Sequence, residues 1–167
     1  MLFIIELKAG LKQQAVYSNL PTYKNSTKMR NQEQFMELIL DHYENPRNHG
    51  TLELADVIQE GGNPGCGDII KIYLNVDSKG VANEISFSGE GCMISQAGAS
   101  LLLENMQGKP IESIEEMSPD IVKEILGKKL VSTRPKCAML GFNTVKKAIK
   151  EFKKQQMLAS IQDSKQS

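Results

Sequence analysis

The chain has 167 residues, enough for one domain with a sizeable core, and with five Phe, four Tyr and no Trp that core must be mostly aliphatic. Twenty basic and twenty acidic side chains cancel, which argues against a dominant field directed at nucleic acid or a membrane surface. Three cysteines cannot pair off into a disulfide framework, and isolated thiols suit a reducing compartment, so the expected location is cytoplasmic.

Residues 1–28 carry one acid, Glu6, and four lysines, and their apolar start, Met1 to Ile5, is too short for a signal-peptide core or a bilayer span. They are expected to be a disordered extension, with Met29 an internal alternative start. The expected domain covers 29–157. Phe35, Leu38, Ile39 and His42 recur at helical spacing, which predicts an amphipathic helix over 31–44 that ends at Asn45-Pro46. Val57 to Glu60 is a weak strand candidate. Over 68–76, Ile70, Ile72, Leu74 and Val76 alternate with Lys71, Tyr73 and Asn75, and over 81–88 Ile85 and Phe87 alternate with Glu84, Ser86 and Ser88. With the turn Asp77-Ser78-Lys79-Gly80 between them, these strands form an antiparallel hairpin.

The period then changes. Residues 93–107 are apolar nearly all round, which predicts a buried helix stopped by Gly108. Ala97, Gly98, Ala99 and Ser100 give it a narrow waist, read either as a close-approach surface or as ordinary core packing. Ser118, Pro119 and Gly127 bracket a short helix, 128–136 is expected to be a loop, and Leu140 to Phe152 mark a last helix running to about Met157. Residues 158–167 are expected to be a frayed tail. The sum is an α+β fold: a small antiparallel sheet of about three strands with helices packed on one face.

The cysteines all fall at element ends. Cys66 lies in the turn Asn63-Pro64-Gly65-Cys66-Gly67-Asp68, and in an extended segment Asp68 points the same way as Cys66. Cys92 follows Gly89-Glu90-Gly91 and opens a helix, where backbone N–H groups favour a thiolate. Cys137 opens another, with Arg134 and Lys136 adding positive charge. Three sulfurs and one oxygen make a four-coordinate site for a soft or borderline metal. Each cysteine alone reads equally as a small buried hydrophobe, and Asp68 as a turn cap. His42 is read as a helix-face or capping group and His49 as solvated. The lysines at 146, 147, 150, 153 and 154 form a wet helix face or meet an acidic partner.

Four ordered motifs carry a resemblance: His42-Tyr43-Glu44-Asn45-Pro46-Arg47-Asn48, Gly62-Asn63-Pro64-Gly65-Cys66-Gly67-Asp68, Gly89-Glu90-Gly91-Cys92-Met93-Ile94-Ser95 and Lys136-Cys137-Ala138-Met139-Leu140. From about Gln34 to Phe152 the chain resembles the U-type iron–sulfur cluster assembly proteins, the family of IscU, SufU and the NifU amino-terminal domain. The resemblance implies a SufE/NifU-like fold. It implies that Cys66, Cys92 and Cys137 ligate metal or a transient [2Fe–2S] cluster, or accept sulfur, and that Asp68 is a further ligand or controls the cluster's lability. The implied partners are a cysteine desulfurase and apo iron–sulfur or carrier proteins, with no nucleic acid and no membrane.

Two departures bear on the subfamily. Lys136 stands where IscU-like members have histidine, and Val131-Ser132-Thr133-Arg134-Pro135 replaces the Leu-Pro-Pro-Val-Lys stretch read by a dedicated Hsp70-type chaperone, so that partner is not expected. Arg134 instead resembles SufU, whose insertion between the last two cysteines this chain lacks. The leading expectation is a non-enzymatic scaffold that builds and passes on a cluster, with Cys137 as first sulfur acceptor and Arg134 supporting its thiolate. The alternative is a zinc-dependent sulfurtransferase relaying persulfide from the desulfurase. A third reading is a structural zinc module, disfavoured because structural sites are normally closed while these cysteines sit among glycines.

Overall fold

The computed structural model describes residues 31–165, so the extension expected over 1–28 and the start at Met29 lie outside the described residues. Helix α1 (Gln32–Glu44) begins at a reciprocal cap. The Asn31 side chain accepts from the Gln34 N–H at 2.9 Å and Gln34 Oε1 accepts from the Asn31 N–H at 3.0 Å, satisfying two donors that a helix start leaves free. The helix stops at Asn45, ahead of Pro46, as the sequence predicts.

Three antiparallel strands follow in the order β1 (Val57–Asn63), β2 (Asp68–Val76), β3 (Ala82–Glu90). The register pairs Val57 with Leu74, Gly61 with Ile70 and Asn63 with Asp68 on one side, and Ile72 with Phe87 and Leu74 with Ile85 on the other. One sheet face therefore presents Val57, Ile70, Ile72, Leu74, Ile85 and Phe87, all buried. Strand β1 runs past the expected Glu60 to Asn63. Its pattern fades there because Gly61 has no side chain, yet Gly61 is buried and paired.

Five helices complete the domain: α2 (Met93–Met106), α3 (Ile111–Glu116), α4 (Asp120–Leu126), α5 (Lys128–Thr133) and α6 (Pro135–Lys165). Helices α2 and α6 pack on the apolar sheet face and on each other. The α2 waist is where they cross: a Cβ added at Gly141 would lie 3.1 Å from Ala99 Cα, and one at Gly98 would lie 3.3 Å from a Leu126 methyl. The waist is a close-approach surface within the core, so the two readings coincide. A Cβ at Gly61 would collide with the Thr144 side chain, so α6 lies directly on the β1 backbone there.

Two boundaries differ from expectation. The stretch 128–136, expected to be a loop, contains α5 and the start of α6. Gly127, at φ +87°, reverses the chain, and its carbonyl accepts the Val131 N–H at 3.2 Å. Only Val131 of α5 is buried, so the sequence carries no period to read. Helix α6 continues beyond Met157 to Lys165. Met157, Leu158 and Ile161 are exposed, so no core-facing stripe marks these turns as helix.

The motif after α1 serves as a brace. Buried His42 bonds Ser100 Oγ at 2.8 Å through Nδ1, and its Nε2 lies 3.6 Å from Glu104. The same Ser100 oxygen accepts the Arg47 N–H at 2.7 Å. His49 packs edge-on against Phe87 with ring centroids 5.1 Å apart and is exposed, as expected.

Candidate metal centre

Each site residue is placed by a separate piece of backbone. Asn63 ends β1, and its carbonyl accepts the Cys66 N–H at 3.0 Å, closing a turn that Gly67 completes at φ +70°. Cys66 is exposed at this turn, and Asp68, the first residue of β2, is only 1% exposed. Cys92 is the N-cap of α2, with φ −70° and ψ 161°, and is half-buried. Cys137 lies in the first turn of α6 and is 2% exposed.

These four positions converge. The Cys66 and Cys137 sulfurs are 3.5 Å apart. One donor atom each from Cys66, Asp68 and Cys137 falls within 4.8 Å of the others. Cys92 stands outside that compact group and beside its carboxylate. The Cys92 N–H donates to Asp68 Oδ1 at 2.8 Å, and its sulfur is 3.9 Å from Oδ2. Asp68 is thus the hub that joins the exposed turn, the α2 start and the α6 start.

The charges follow from this packing. Burial opposes ionisation of Asp68, but hydrogen bonds from the Cys92 N–H, Cys137, Asn63 and the Cys92 thiol outweigh it and hold the carboxyl below its ordinary 3.8. Burial pushes the Cys137 thiol well up, with hydrogen bonds to Asp68, Cys66 and Cys92 adding to the rise. The expectation that Arg134 and Lys136 favour a Cys137 thiolate has no direct contact behind it. Both side chains are exposed, and among the described residues neither has a hydrogen bond or ion pair to Cys137. A bound cation would favour the thiolate, as would contact with water once the turn carrying Cys66 moves aside.

Sequence reasoning passed over three contributors. Asn63 is 6% exposed, and its Nδ2 lies 3.4 Å from Asp68 Oδ2 and 3.4 Å from Cys137 Sγ. A Cβ added at Gly91 would lie 2.6 Å from Asp68 Oδ1, so only glycine lets this strand end meet the carboxylate. Buried Ser95 donates to the Cys92 carbonyl at 2.8 Å and holds the helix start. The available signals were a polar residue ending β1 and a Gly-x-Gly run before a cysteine. Beside the site, an open groove of about 400 Å³ runs between the Pro64-Gly65 turn and α6, edged by Lys136 and Lys147.

An α+β domain that gathers three thiols and one buried carboxylate from separate element ends is the class these features define. The family described as NifU-like N terminal domain matches residues 34–159, and the chain belongs to it. The iron–sulfur cluster assembly scaffold protein IscU of Thermotoga maritima is 36% identical over 134 residues, spanning 71% of this chain and 94% of that protein. The IscU of Buchnera aphidicola is 32% identical, spanning 74% of this chain and 98% of that protein. Among solved structures, a Fervidobacterium islandicum protein assigned as an iron–sulfur cluster assembly scaffold for the SUF system is 26% identical. It has a TM-score of 0.59 and spans 71% of this chain and 99% of that one. A NifU-like protein from Brucella abortus, 18% identical with a TM-score of 0.61 over 71% of this chain and 93% of that one, shares the fold.

Proposed function

We propose that this chain is an iron–sulfur cluster assembly scaffold whose cargo, a [2Fe–2S] cluster, is held by Cys66, Asp68, Cys92 and Cys137. The observation that carries this reading is the mixed donor set with one exposed edge: two sulfurs 3.5 Å apart, a third beside a buried carboxylate, and Cys66 open to solvent. Thiolates bind iron well, while the harder carboxylate is a weaker partner, so one corner of the cluster is poorly held and the cargo can leave. Family membership supports the same reading.

A cysteine desulfurase is the proposed sulfur donor, and apo iron–sulfur or carrier proteins the recipients. Transfer begins when a scaffold thiolate attacks the outer sulfur of the donor's persulfide. A new sulfur–sulfur bond forms, the donor's own breaks, and the donor leaves as a thiolate. Cys137, the expected first acceptor, lies beneath exposed Cys66 and receives sulfur when the turn carrying Cys66 moves aside. Three free thiols near one another require a reducing compartment, which the cytoplasm supplies.

The test is anaerobic reconstitution with a desulfurase, cysteine, ferrous iron and an added reductant, which supplies the electrons that take persulfide sulfur to sulfide. Cluster absorption should appear on the chain and then move to an apo-acceptor. Tight zinc that iron does not displace, together with faster desulfurase turnover and no cluster, would overturn the scaffold in favour of a zinc-dependent sulfur relay. Without iron or reductant, intact mass should show one added sulfur on the wild type and on Cys66→Ser, and none on Cys137→Ser. Equal loading of Cys137→Ser would remove the acceptor role from Cys137.

A further inference from the structure

We infer that Asn63 is the positioning residue of this centre, holding the Asp68 carboxylate and the Cys137 sulfur toward one metal while its backbone holds Cys66. The inference rests on the scaffold reading for the use of the site, and on the geometry alone for its ability to bind metal. Asn63 touches every member of the compact ligand group. Its carbonyl accepts the Cys66 N–H at 3.0 Å, and its Nδ2 lies 3.4 Å from both Asp68 Oδ2 and Cys137 Sγ. An amide NH₂ is a pure donor with two hydrogens, one for each of these two ligands. A separation of 3.4 Å is ordinary for a sulfur acceptor and long for a carboxylate, so the sulfur contact is the firmer.

A turn residue alone explains less. Any residue at this position could supply the carbonyl that closes the Cys66 turn. The inward side chain is a separate feature, and it follows from the strand. Asn63 pairs with Asp68 and lies on the same face as Val57 and Gly61, toward the core. Gly61 lets α6 settle against β1, which brings Cys137 within reach of the amide. A donor aimed at two anionic ligands orients both. Partners of this kind typically contribute about 10–100-fold to metal affinity, and hydrogen bonds to sulfur also tune a cluster.

Cobalt(II) titration of the reduced full chain under anaerobic conditions tests this. Asn63→Leu keeps the branched shape and the backbone turn but removes both donors, and Asn63→Asp replaces them with a negative oxygen. Cobalt should bind Asn63→Leu about 10-fold more weakly than wild type, and Asn63→Asp more weakly still. Both should lose thiolate-to-cobalt charge-transfer intensity, while the metal-free Leu variant keeps its urea midpoint. Wild-type affinity and spectrum in Asn63→Leu would overturn the inference, as would a wild-type chain that binds no cobalt. A readout free of variants is the side-chain amide resonance of Asn63, which should shift on adding zinc while that of exposed Asn83 stays. An unmoved Asn63 resonance would also overturn it. A chain that passes these tests but never builds a transferable cluster loses the scaffold reading and keeps the role of Asn63.

Discussion

A methyl group at Gly91 would lie 2.6 Å from the Asp68 carboxylate and 2.6 Å from the Ser95 hydroxyl, inside contact distance of both. The neighbouring Cys92 N–H donates to that carboxylate at 2.8 Å. Gly91→Ala should therefore push Asp68 out of line and cost about 1–3 kcal/mol in urea unfolding, as overpacking of a close contact does. Cobalt binding should weaken by about 10-fold, the scale of a lost outer contact. Unchanged stability and affinity would show that the strand end yields without disturbing the centre. Cys66, Asp68, Cys92 and Cys137 were legible because their residue types carry metal chemistry wherever they stand. Asn63 and Gly91 were not, because an amide or a missing Cβ acquires meaning only from the atom it faces across the fold.

Between elements, the crossing of α6 over β1 decides where Cys137 lies. Gly61 meets Thr144, whose hydroxyl also donates to the Leu140 carbonyl at 2.8 Å within α6. Gly61→Ala should destabilise the domain by about 1–3 kcal/mol. Thr144→Ala should cost less alone and should relieve Gly61→Ala, giving a coupling of about 0.5–3 kcal/mol in a double-mutant cycle by urea unfolding. Additive costs would mean that the helix shifts freely over the strand. The same helix corrects the picture of a uniformly wet lysine face. Lys153 pairs with Glu115 at 2.5 Å and Lys146 donates to the Met117 carbonyl at 2.7 Å, so both tie α6 to α3 and the residue after it. Element types came through where one face is buried over several turns or residues, as in α1, β2 and α2. They failed at α5, where one buried valine leaves no period, and at the outer end of α6, where no core face remains.

For the whole molecule, the core is continuous from the sheet through α2 to α6 and does not include the candidate metal centre, apart from the buried flank of Cys137 and Asp68. The domain should therefore fold without metal, unlike small zinc modules that are unfolded when stripped. A chelator-treated chain should keep its far-UV circular dichroism and a single cooperative urea transition. Zinc at 100-fold above its dissociation constant should add about 2.7 kcal/mol, the mass-action value for a ligand that binds only the folded state. Loss of the transition on chelation would mark the metal as structural and remove temporary occupancy.

Sequence alone determined the candidate donor set, the hairpin, the buried helix and the family likeness, because residue chemistry, a period of two and an apolar run are local properties. It left open whether the cysteines meet. Tertiary structure decided that: three segments far apart in the chain reach one place because Gly61 and Gly141 let α6 lie close to β1 and α2, and Gly91 lets the end of β3 lie against Asp68. It also decided the surroundings of the Cys137 sulfur. Packing takes that sulfur out of water, which pushes its thiol up, and only the fold sets how far it is buried.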